Sequence, residues 1–330
     1  MEAFLFADFL GKPAWMWISF VAIVIALLAF DLGILHRKAK EIEVGESLIL
    51  SAVYIALGLA FGGWIWWYLG PQSGIEYLTG FAVEKTLAMD NVFVIAMIFT
   101  YFAIPRLYQH RVLFWGILGV IVLRAIMIGI GAPIVENFSW VLYIFAVFLI
   151  LTGVKMLWVG DKPMDVGDNP VLRWVKRRYP VTDALHGEKF FVQLPDPKTG
   201  KMVRHMTPLF LALILIEIAD VIFAVDSVPA IFLITTDPFI VYTSNIFAIL
   251  GLRALYFALA AMVQRFKYLK YALSILLIFI GSKIFIAWGM GWEKFPAAWG
   301  LGITVTILAS GILFSLWKTR DDIQVTPKSA

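Results

Sequence analysis

Glu217-Ile-Ala-Asp220-Val-Ile-Phe-Ala-Val-Asp226-Ser227-Val-Pro-Ala230 lies inside an apolar run that extends from about 207 to 235. As a helix, a run of that length crosses a hydrocarbon core of about 30 Å. Yet it carries three carboxylic acids, each of which costs roughly 2.5–3.5 kcal/mol near the centre of a spanning helix. Acids persist in such a place only where a bound cation, water, protonation or an opposite charge makes their burial tolerable.

A second stretch has the same design: Glu84-Lys-Thr-Leu-Ala-Met-Asp90-Asn91-Val92. In both, an acid is followed by five residues, then Asp, a small polar residue and Val (Glu84 to Val92, Asp220 to Val228). The likeness continues downstream, with Arg124 and Arg253 inside the next apolar runs and Gly153-Val-Lys155 and Gly281-Ser-Lys283 inside the ones after. From Arg to Lys the gaps are 31 and 30 residues (155−124 and 283−253). This register implies two three-helix units, over 75–159 and 207–288.

The rest of the chain fits a lipid solvent. Of 330 residues, 61% are hydrophobic and 15% charged, and the mean hydropathy is +0.87. A soluble domain would not stay dispersed with that balance. Apolar segments near 15–35, 47–69, 75–103, 111–131, 138–159, 207–235, 238–262, 267–288 and 296–318 imply about nine spanning helices, an all-α polytopic protein. Residues 1–159 hold the N-terminal helices and the first unit, and 207–318 hold the second unit and a last helix. Between them, 160–206 is a loop, and 319–330 is a polar tail. Within the loop, Lys189–Leu194 and Lys201–Arg204 flank a Pro195–Gly200 turn cluster and read as a β-hairpin that rests on the membrane domain.

Basic residues sit in alternate connections: Arg37, Lys38 and Lys40; Arg106 and Arg111; Arg173 to Arg178; Arg265, Lys267 and Lys270; Lys318 and Arg320. The turns near Pro71–Gly74, Glu136–Ser139 and Asp237–Pro238 have none, so the basic loops face the cytoplasm, the N-terminus lies outside and the C-terminus inside. The first unit then begins outside and the second inside, which relates them by a pseudo-two-fold axis in the membrane plane. The net charge of +4 reports this orientation and implies no nucleic-acid partner.

Glu84, Asp90, Glu217, Asp220 and Asp226 together would cost on the order of 12–17 kcal/mol if nothing compensated them. Arg124, Arg253, Lys155 and Lys283 are the available counter-charges or gating groups, the two lysines lying near helix ends where they can also snorkel. On an unbroken helix Asp220 and Asp226 point roughly 240° apart. Unwinding at Pro229 is expected to bring the carboxylates together with Asn91, Ser227 and freed carbonyls. All four histidines (His36, His110, His186, His205) fall in loops and there is no cysteine, which disfavours zinc or copper and excludes thiol chemistry. Carboxylate, amide, hydroxyl and carbonyl oxygens suit Mg²⁺, Ca²⁺ or Mn²⁺ as a transported substrate. No nucleophile and base are paired in the spans, so an enzyme is not expected, nor is an organic cofactor.

The two acidic stretches, Glu84 to Val94 and Glu217 to Ala230, resemble the signature helices of the TerC family, and within it the Alx-type manganese exporters; the likeness runs from about Asp31 to Lys318. The resemblance implies a bacterial inner-membrane transporter of the wider LysE-type grouping that exports Mn²⁺, with the named acids as its metal-binding residues. Coupling to protons is expected from the surplus of titratable groups. The competing expectation is a partner of the secretion machinery that loads Mn²⁺ into exported enzymes. The oligomeric state is not legible.

Overall fold

The computed structural model describes residues 5–33, 44–159, 169–195, 200–260, 268–293 and 295–320, without the side chains of 31–33, 44, 90, 159 and 260. The elements are α1 (Ala14–Gly33), α2 (Val44–Leu69), α3 (Pro71–Tyr101), α4 (Arg106–Asn137), α5 (Val141–Val159), α6 (Pro170–Arg178), α7 (Pro208–Phe232), α8 (Pro238–Leu250), α9 (Leu252–Ala260), α10 (Leu269–Gly289) and α11 (Ala297–Lys318). Two antiparallel pairs, β1 (Asp8–Phe9) with β2 (Lys12–Pro13) and β3 (Phe191–Pro195) with β4 (Met202–Met206), complete them.

Among the described residues six helices are long and apolar enough to cross a membrane, and seven if α8 and α9, bent by 41°, form one broken span. A helix also occupies each of the other two expected segments. In α1 the apolar stretch is the shorter Ala14–Phe30, and α3, long enough to span, is made less apolar by Glu76, Glu84, Lys85 and Asp90.

Glycines let these helices approach closely. A Cβ on Gly58 would stand 2.5 Å from the Phe81 ring and one on Gly62 2.8 Å from the Tyr77 ring, so the small-residue stripe of α2 seats two aromatic rings of α3. Tyr77 also donates to the Gly58 carbonyl at 3.0 Å.

The crossing of α5 and α10 has a reciprocal form. Gly153 presses on Ser274 and Ile278, while Gly281 presses on Ala146 and Ile150, each glycine meeting a backbone carbonyl at 2.5–2.6 Å from an added Cβ. Gly153 and Gly281, Ala146 and Ser274, and Ile150 and Ile278 are all 128 positions apart. Exchanging the two helices therefore maps the contact onto itself, in antiparallel register. A looser version recurs where Gly80 of α3 meets Ser244 of α8 and Gly116 of α4 meets Ile216 of α7.

At one end of the bundle, Lys12 reaches Asp237 at 2.8 Å and ties the N-terminal β-turn to the α7–α8 connection. At the other end lies the loop. Its hairpin forms with Phe191 opposite Met206 and Pro195 opposite Met202. The loop also contains α6, which the sequence reading does not anticipate; the Asn169 side chain caps it by accepting from Val171 N at 2.9 Å. Glu188 meets Arg111 of α4 at 3.4 Å and Phe191 packs on Phe210 of α7, so the loop rests on the helices.

Candidate functional site

Helices α3, α4, α7 and α8 each place polar side chains at one buried point. Arg124, from α4, is 1% exposed, and Glu84 and Asn245 are fully buried. The guanidinium takes Asp220 of α7 in a two-pronged grip, Nη2 to Oδ1 at 3.0 Å and Nε to Oδ2 at 3.4 Å. Its Nη1 donates to Glu84 of α3, and also to Ser227 Oγ and Asn245 Oδ1, both at 3.1 Å. Asn245 in turn donates to the other Glu84 oxygen at 3.4 Å, and Asn91 donates to Asp220 Oδ1 at 3.3 Å.

The bonding follows from the residue types. A buried guanidinium must use its five donors, and carboxylates match its planar fork. Two carboxyl groups share one guanidinium, so the cluster carries one unit of negative charge when both acids are ionised, and all three groups are buried. Lys85, the neighbour of Glu84, turns away from the cluster and donates to the Ala248 carbonyl at 2.9 Å. There it satisfies an end group of α8 just before the break at Gly251, a favourable place for a cation.

The remaining candidates lie apart. Glu217 is half-buried against Gly119 of α4, and among the described residues its buried Oε2 has no hydrogen-bond partner. Asn91 Oδ1 is likewise buried and unbonded. A cavity of about 20 Å³ touches Asn91 and Asp220 and is walled by Ile95, Leu113, Ile216 and Leu252, room for about one water.

Asp226 does not join the cluster. It faces Thr152 and Lys155 of α5, because α7 runs unbroken through Pro229 to Phe232 and the angular separation of Asp220 and Asp226 is kept. The expected unwinding at Pro229 is therefore absent. The break falls at Gly251 instead, and a proline inside a spanning helix is tolerated where neighbours satisfy the freed backbone. Arg253 is buried in the first turn of α9. Lys155 is exposed, whereas Lys283 is 8% exposed. The Asp90 side chain lies outside the described residues. No group of three or more acids or histidines converges closely enough to hold a metal among the described residues; in this conformation the charge between Glu84 and Asp220 is Arg124. Asn245 escapes the sequence reading, although an amide within an otherwise apolar span was its signal.

The profile of the TerC family of integral membrane proteins matches residues 69–322. An uncharacterized membrane protein of Myxococcus xanthus is 45% identical over 310 residues, covering 94% of each chain. One from Rickettsia bellii is 48% identical over 300 residues, 91% of this chain and 96% of that one. A protein of Escherichia coli K12 described as a putative membrane-bound redox modulator, Alx, is 44% identical over 316 residues, 93% of this chain and 95% of that one. No solved structure matches.

Proposed function

The chain belongs to the TerC family of integral membrane proteins, and from that premise we propose that it exports Mn²⁺, or a closely related hard dication, through the buried cluster. One observation carries the reading: Glu84 and Asp220, acids at matching positions of the two related stretches, meet on a single guanidinium, Arg124, so that when both are ionised they exceed its charge by one unit. An isolated structural ion pair would be neutral. A surplus negative charge among oxygen ligands, with Asn91 and Glu217 each offering an unbonded oxygen nearby, is suited to admit a further cation.

In this account Arg124 occupies the place a dication takes in another conformation, and Glu84, Asp90, Asn91, Glu217, Asp220, Asp226 and Ser227 supply ligands along the path. Protons released from some of these acids would couple the cycle. The reciprocal crossing at Gly153 and Gly281 supports an inverted repeat of two three-helix units, and a contact that exchange leaves unchanged is what a two-fold relation produces. Rocking of the units about it would open the cluster to each side in turn. Nine spans in a bacterial inner membrane, with the N-terminus outside and the C-terminus inside, complete the reading, and the chain performs no covalent chemistry.

A redox-modulating role, as the Escherichia coli relative is described, would have to be exercised without thiols, since the chain has no cysteine; metal supply is a route of that kind. The test is uptake into proteoliposomes holding a manganese-quenched dye. The native chain is expected to quench the dye faster than protein-free vesicles, with Mg²⁺ and Ca²⁺ as competitors that rank selectivity. Equal rates with and without protein would refute the proposal.

A further inference from the structure

At the end of the bundle opposite the loop lies a cavity of about 400 Å³, walled by α3, α10, the end of α7 and the α10–α11 turn. Its inner wall includes Thr79 and Phe232. Each is five residues from a member of the buried cluster, Glu84 and Ser227, so about 7.5 Å of helix separates the cavity from the cluster. Phe232, on that wall, is 2% exposed.

Lys283 of α10 also lines this vestibule. Its side chain is more than nine-tenths buried, and among the described residues its ammonium makes no hydrogen bond; it lies close to Gly300 of α11 and within electrostatic reach of Glu76, with the centre of the Phe279 ring 6.0 Å away. Glu76 and Glu293 line the same space, and Glu76 is held by Gln72 at 2.6 Å. An ammonium held among helices without a hydrogen-bonded partner is costly. Lys155, its counterpart in the sequence repeat, is exposed, so snorkelling does not account for Lys283.

We propose that this vestibule is the outer half of the ion path and that Lys283 is a fixed positive charge within it that lowers the affinity for a dication arriving from outside. The inference rests on the transport reading above. A dication that passes Phe232 enters a space whose potential Lys283 has raised, so it leaves toward solvent instead of rebinding. Glu76 and Glu293 keep the passage hydrated and offset the barrier to exit. Repulsion between a dication and a unit charge some 10 Å away, in a partly hydrated space, is worth about tenfold in affinity.

Because the chain lacks cysteine, one introduced thiol can report the potential directly. In Thr236→Cys, on the vestibule wall, reaction rates with a cationic and an anionic methanethiosulfonate give a ratio. Adding Lys283→Met should raise that cationic-to-anionic ratio about tenfold, and Lys283→Arg should leave it unchanged. In proteoliposomes, Lys283→Met should lower the half-saturating Mn²⁺ on the vestibule side about tenfold, without changing the value on the loop side. An unchanged labelling ratio, or an unchanged vestibule-side value in a chain that does move Mn²⁺, overturns the proposal. A native chain that moves no Mn²⁺ while the labelling ratio shifts would sink the transport reading and leave the charged vestibule standing.

Discussion

Arg124 and Asp220 lock together across α4 and α7 through two parallel hydrogen bonds, at 3.0 and 3.4 Å, with the arginine 1% exposed. Removing the arginine leaves two buried carboxylates without their cation. Arg124→Leu is expected to cost about 3–5 kcal/mol, and Arg124→Lys to recover part of it, because an ammonium cannot reproduce the fork. Thermal unfolding in detergent checks this. Millimolar Mn²⁺ should stabilise Arg124→Ala more than it stabilises the native chain, since the dication would fill the position the guanidinium left. Equal stabilisation of the two would speak against a shared position.

The glycine crossing of α5 and α10 makes a second prediction. An added Cβ would meet the Ser274 carbonyl from Gly153 and the Ala146 carbonyl from Gly281. Backbone cannot swing aside as a side chain can, so Gly153→Ala and Gly281→Ala should each destabilise by about 1–3 kcal/mol, and by similar amounts. Equivalent residues in reciprocal contacts should behave alike; a large effect at one and none at the other would argue against the two-fold relation.

The contact of Glu188 with Arg111 should matter little to stability. Both side chains are about a third or more exposed, at 32% and 40%, and such pairs contribute at most about 1 kcal/mol. Glu188→Gln is expected to leave thermal stability within about 0.5 kcal/mol of native, and raising the salt concentration should not widen that difference. A severe loss of folded protein would mean that the loop is held to α4 by more than this pair.

Much of this arrangement was legible in the residues because charge in an apolar span is so costly. Glu84, Asp220 and Arg124 announce themselves that way, and the structure brings all three together. Asp226 would join the cluster only if Pro229 broke α7; the helix continues instead and carries Asp226 round to α5. The break at Gly251 has no comparable local signal, since a glycine in a spanning helix is ordinary. Asn245, an amide among apolar neighbours, has no charge to mark it in the sequence, although its two hydrogen bonds connect Glu84 to Arg124. The short α6 could have been read from Asn169-Pro170, a capping residue followed by a proline at the first helical position. Three-dimensional proximity between the cluster and the vestibule had no sequence signature, because Lys283 and Thr79 belong to different units and meet only through packing.

The most direct measurement of the central claim is Mn²⁺ flux through Glu84→Gln. The amide keeps the shape and can still accept from Arg124, while the cluster loses its surplus negative charge and becomes a neutral Arg124–Asp220 pair. The account predicts a chain that folds and unfolds like the native one and moves Mn²⁺ at least about tenfold more slowly, with Asp220→Asn behaving the same way. Native-rate Mn²⁺ transport by a well-folded Glu84→Gln chain would contradict it.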